Sequence, residues 1–149
     1  MSKYIFLGKH ADNKTLPSNR IQIGFSPRRY IGEYYVDVTT VAEANEIYVD
    51  DDILELIVVS MKHSEFPLLF KIVEDFYEDF VIETEKLKDL KQEINKFIST
   101  FRKKVRDKIF LVKYKTIEDY PKLLEFLKKL EKLCDEGNKK KLTLWGDAD

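Results

Sequence analysis

The strongest constraint on the fold lies in residues 87–105. Leu87, Leu90, Ile94, Phe97, Ile98, Phe101 and Val105 recur at helical spacing and form one apolar stripe. Lys86, Lys88, Lys91 and Lys96 lie off that stripe, with Asp89 and Glu93 among them. A helix of this kind must bury one side, and such a stripe is more often packed within its own domain than against another chain. The chain can supply the partner surface. It has 149 residues, 44% of them hydrophobic and 13% aromatic. At that size roughly 70% of the unfolded surface can be buried, with no need of disulfides or metals. A single domain over residues 1–149 is expected.

The remaining elements are read outward from that helix. Tyr4–Leu7 is a β-prone run, and residues 8–19 read as a loop. Ile21, Ile23 and Phe25 alternate as in a half-buried strand, and residues 26–29 form a turn. Residues 30–38 alternate again, with Tyr34, Val36 and Val38 on one side and Glu33 and Asp37 on the other. The two alternating runs predict a β-hairpin. Thr40 and Glu43 match a capping box, which predicts a short helix to about Tyr48. A helix over residues 51–62 follows, with Asp50, Asp51 and Asp52 at its positive end; the β-branched run Ile57–Val59 makes a strand the rival reading.

Ser64 is placed to cap the next helix, with Pro67 in its first turn. Leu68, Leu69, Ile72, Val73, Phe76 and Phe80 extend its stripe, and Glu74, Asp75, Glu78 and Asp79 occupy much of the other face. After the 87–105 helix, Ile109–Tyr114 reads as a strand. Thr116 caps a last helix that contains Pro121, buries Leu123 to Cys134 at intervals and stops at Gly137. Leu142–Trp145 is a final short strand. The order, roughly βββ-αααα-β-α-β, predicts an α+β fold: a small, mostly antiparallel sheet packed against a group of helices. The last β-α-β unit fits a right-handed parallel crossover.

Motifs that carry chemistry are few. The two histidines, His10 and His63, sit in no metal-ligand spacing, and the five glycines are isolated, so no phosphate-cradling loop exists. No GxSxG nucleophile elbow occurs. Cys134, the single cysteine, falls on the apolar side of its helix and reads as an inert thiol. Neither a signal peptide nor a membrane-spanning run is evident, and a lone cysteine suits a reducing compartment, so a cytoplasmic protein is expected. No cofactor or metal is expected.

What stands out functionally is the layout of charge. The net value is −1, yet residues 1–29 carry six bases and one acid, residues 30–83 fourteen acids and two bases, and residues 84–149 eighteen bases and twelve acids. Between Tyr30 and Met61 there are eight acids and no base. Segregation of this kind governs association more than folding. It marks Glu33, Tyr35, Asp37, Asp50, Asp51, Asp52, Glu55, Glu74, Asp75, Glu78 and Asp79 as a surface for a basic protein partner. Tyr30, Tyr34, Tyr35 and Tyr48 lie in the base-free stretch, where an aromatic ring can anchor Arg or Lys.

The expectation is a non-enzymatic inhibitor of immunity or antitoxin type, blocking a basic partner such as a nuclease toxin. Two other readings compete. Arg102, Lys103, Lys104, Arg106 and Lys108 could contact nucleic acid, but they sit at a helix C-terminus that favours cations, and a pI near 6.2 is low for such a role. A carboxylate-dependent metalloenzyme would use the acids instead, but residues 50–55 lack the alternating ligands and central glycine of a calcium loop.

Overall fold

The computed structural model describes residues 2–10, 30–31, 34–37, 46–74, 78–106 and 116–148. In chain order these form β1 (Ser2–His10), β2 (Tyr30–Ile31), β3 (Tyr34–Asp37), β4 (Ile47–Asp50), α1 (Asp51–Ser60), α2 (Pro67–Val73), β5 (Phe80–Ile82), α3 (Leu87–Arg106), α4 (Thr116–Lys140) and β6 (Thr143–Ala148). Short 3₁₀ turns at His63–Glu65 and Thr84–Lys86 precede α2 and α3. The fold is α+β. Of the expected elements, the strand at 20–25, its following turn, the capping box at 40–43 and the strand at 109–114 lie outside the described residues.

β1 is the central strand. One edge pairs with β6 over Lys3–Gly8; the other pairs with β4 over Ser2–Ile5 and with β3 at Lys9 and His10. β5 adds to the far side of β6, and β2 to β3. Every pairing among the described residues is antiparallel, including both of β6's.

Alternation sorts the strand residues onto two faces. Ile5, Leu7, Ile47, Val49, Phe80, Ile82 and Leu144 join the helices in one large apolar core. Tyr4, Phe6 and Trp145 point the other way and cluster with Val36. The indole Nε1 of Trp145 donates to the Gly8 carbonyl oxygen at 2.9 Å, so the buried ring leaves no orphan donor.

α3 is the helix its stripe predicts: Leu87, Leu90, Ile94, Phe97, Ile98 and Phe101 are all buried. It packs antiparallel to α4. Lys91 at its start pairs with Asp135 near the end of α4, and Phe101 near its end stacks on Tyr120 near the start of α4, with centroids 5.4 Å apart. Full burial of each large apolar side chain stabilises by about 1.5–3 kcal/mol.

Three local readings are corrected. The helix expected to reach Tyr48 ends in a strand instead: Ile47 and Val49 are buried and Ile47–Asp50 pairs with β1. The helix expected over the 68–80 stripe stops at Val73, and Phe80–Ile82 forms β5, because this aromatic and β-branched run completes the pairing of β6. Gly137 does not end α4. It lies inside the helix, where a Cβ would meet Leu87 Cδ1 at 2.5 Å and Leu7 Cδ2 at 2.9 Å. Lys139 and Lys140 are therefore in the last turn of α4, and Lys141 takes the left-handed position with φ 59°.

Candidate functional site

The topology carries several acidic segments to one end of the sheet. β4 ends at Asp50, opposite Ser2 at the start of β1. β6 ends at Ala148, opposite Lys3, and β5 starts at Phe80, opposite Gly146. Asp50–Asp52, Glu78, Asp79 and Asp147 thus share that end. The order β4-β1-β6-β5 separates the outer strands by three interstrand spacings, about 14 Å.

On the β4 side, Asp50 is the residue before α1, with extended backbone (φ −75°, ψ 152°) and no side-chain capping bond. Asp51 and Asp52 occupy the first turn, where the helix dipole favours negative charge. Ile53, Leu54, Leu56 and Ile57 turn inward, leaving Asp52, Glu55 and Val59 along the outward stripe of α1.

On the β5 side, Glu74 is exposed at the end of α2, and Glu78 and Asp79 are exposed just before β5. The Asp79 carboxylate accepts from the Ala148 backbone N–H at 2.9 Å and so closes the end of β6. Because α2 stops at Val73, Glu78 and Asp79 are not on the helix that carries Leu69 and Ile72. Asp75 and Glu33 lie outside the described residues, as do the side chains of Tyr35 and Asp37, whose backbones belong to β3.

Asp50, Asp52, Glu55, Glu74 and Glu78 make no ion pair among the described residues; Asp89 and Glu131 on the long helices make none either, whereas Glu125, Asp135 and Glu136 are each paired with a lysine. Lys3 is the base buried at this end; its Nζ donates to the Ile72 carbonyl oxygen at 2.8 Å and lies 5.6 Å from the Phe80 ring centre. The opposite end of the sheet carries exposed Lys9, Lys86 and Lys139–Lys141. That end also carries the acids Glu83 and Glu85 beside Lys86, and Lys140 is paired with Glu136.

One residue absent from the expected surface stands out. Tyr48 is 61% exposed, and with Val59 at 47% it makes up the exposed large hydrophobic side chains among the described residues. Both flank the acids at 50–55. The signal was present in the sequence, as a tyrosine in the base-free stretch, but only the β4 register decides that it faces away from the core.

Burial, reinforced by Asp135 and Glu131, pushes the Cys134 thiol up to about 12, which keeps it protonated and inert. His63 opens the 3₁₀ turn before α2; it stacks on Phe70 with centroids 3.9 Å apart, its Nε2 3.4 Å from the Val58 carbonyl oxygen. Among the described residues no group of His, Cys, Asp and Glu is arranged to hold a metal ion, and no helix is long and apolar enough to cross a membrane. Arg102 and Lys103 are exposed on α3; the side chains of Lys104 and Arg106, and Lys108 altogether, lie outside the described residues. Comparison with protein-family models, with curated proteins and with solved structures gives no match.

Proposed function

We propose that the chain is a non-enzymatic binding protein of inhibitor or immunity type, whose acidic sheet end covers a basic surface on a protein partner. A toxin acting on nucleic acid is the natural class, since a site that binds an anionic substrate is itself positive. The observation that carries this reading is the convergence of Asp50–Asp52 with Glu78 and Asp79 on one end of the sheet, most of them without an ion pair among the described residues. Unpaired surface acids add little to folding. They do raise the encounter rate with a basic protein and suppress wrong partners.

A tagged pull-down from nuclease-treated lysate, washed at low and then high salt, tests the reading. A basic protein retained in equal amount supports it. Changing Asp50, Asp51 and Asp52 together to Asn should then slow association by about tenfold or more at low salt and flatten its salt dependence. Unchanged association would exclude this surface, and retention of nucleic acid alone from a parallel lysate not treated with nuclease would move the site to Arg102 and Lys103.

A further inference from the structure

We infer that Tyr48 and Asp50 form an arginine clamp, the specificity element of the acidic end; the inference rests on the docking function proposed above. The two residues are i and i+2 on β4, so both side chains lie on the same face of the strand, about 7 Å apart along it. That face points away from the helices, since Ile47 and Val49 fill the other.

Each half of the clamp is prepared. The Tyr48 ring lies 4.7 Å from the Tyr4 ring, at 30° to it, and Tyr4 in turn stacks on buried Phe6 at 4.9 Å. A ring held from beneath and open above loses little rotamer freedom when a ligand stacks on it. Asp50 stands where a helix cap belongs, yet its carboxylate makes no capping bond and no ion pair among the described residues. It is exposed, and its charge is uncommitted.

The geometry selects guanidinium over ammonium. A planar guanidinium stacks on an aromatic face and at the same time presents a fork of donors at its edge to a carboxylate. An ammonium is a compact point charge that satisfies one of these contacts well and the other poorly. Tyr48 and Asp50 offer both from one face of β4. Asp51, Asp52 and Glu55 then supply the field that brings cations in, and the clamp chooses among them.

The test uses the full chain and two probes, a nona-arginine and a nona-lysine peptide, titrated by calorimetry at low salt. The wild-type protein is expected to bind the arginine peptide about five- to tenfold more tightly. Tyr48→Ala should abolish that preference and leave the affinity for the lysine peptide nearly unchanged. Tyr48→Phe should retain most of it. Ring proton shifts of Tyr48 on addition of the arginine peptide give an independent readout. Equal affinity of wild type for both peptides, or an unchanged preference in Tyr48→Ala, would overturn the clamp while leaving the acidic surface standing. Failure of both peptides to bind would overturn the clamp and the acidic surface together. Tyr48 is exposed, so its variants should unfold at nearly the wild-type urea midpoint, which confirms that losses are not due to unfolding.

Discussion

The Lys3 ammonium, on a side chain only 1% exposed, donates to the Ile72 carbonyl oxygen at 2.8 Å. Ile72 lies in the last turn of α2, where carbonyls have no partner within the helix. The lysine satisfies one of them, places a positive charge at the negative end of the helix dipole, and sits in an end of the sheet rich in carboxylates. Lys3→Met keeps the stem but removes all three effects. It should destabilise the protein by about 1–3 kcal/mol, the range for leaving a buried acceptor unpaired, measured by urea unfolding. No loss would mean that the cost of burying the ammonium already cancels its bonds.

Glu93 of α3 caps a helix that cannot cap itself. Phe66 precedes α2 and offers no capping oxygen, and Pro67 has no N–H; the Glu93 carboxylate accepts from the backbone N–H groups of Leu68 and Leu69 at 2.9 and 3.1 Å. Glu93→Ala should cost about 1–2 kcal/mol. Burial nevertheless raises the Glu93 carboxyl above its ordinary range, against the opposing pull of the two N–H bonds. A raised folded-state pKa means that the folded protein binds the proton more tightly, so this contribution to stability is full below the ordinary carboxylate range and is lost as pH rises through the raised value. Glu93→Gln keeps an acceptor oxygen without the charge. Its stability relative to wild type should therefore increase from about pH 4 to about pH 7, as read from urea midpoints.

The end of α4 separates two roles usually combined in one glycine. The Leu142 N–H donates to the Gly137 carbonyl oxygen at 2.9 Å, a six-to-one closure, and Lys141 holds the left-handed position at φ 59°. Lys141→Gly removes the Cβ penalty of that conformation and should stabilise by about 1 kcal/mol. Gly137→Ala should do the reverse. Alanine gains about 1 kcal/mol in helix propensity, but its methyl would collide with Leu87 and Leu7, and overpacking costs about 1–3 kcal/mol. Thermal unfolding of the two variants should shift in opposite directions.

Cys134 should be silent to an aromatic disulfide reagent in the folded protein and react fully after denaturation, since burial holds its thiol protonated to about pH 12. Fast reaction of the native protein would show that α4 opens away from the sheet.

The elements legible in the sequence are those whose signal is local. The stripe from Leu87 to Phe101 repeats every three to four residues and needs no partner to be recognised, and α3 follows it. The run Tyr4–Leu7 and the final strand are apolar enough to read as strands alone, although pairing lengthens both, to Ser2–His10 and Thr143–Ala148. Where the structure departs from expectation, a distant partner decides. Phe80 fits the helical spacing of Leu69, Ile72 and Val73, but its ring is needed over Gly146, where a Cβ would strike it. Tyr48 follows a capping box, yet Ile47 and Val49 complete a strand against β1, some 45 residues away along the chain.

The sequence by itself determined the class of the fold, its main helices and the separation of acidic from basic segments, because composition and short-range periodicity carry that information. Only the tertiary structure decided where those charges meet. Antiparallel pairing of β1 with β4 and β6, and of β6 with β5, brings residues 50–52 and 78–79 to one end and sends Lys139–Lys141 to the other. The same pairing turns Tyr48 outward beside Asp50. Register is a non-local property: a shift of one residue along β1 would exchange the faces of β4 and bury that tyrosine, while leaving every local pattern in the sequence unchanged.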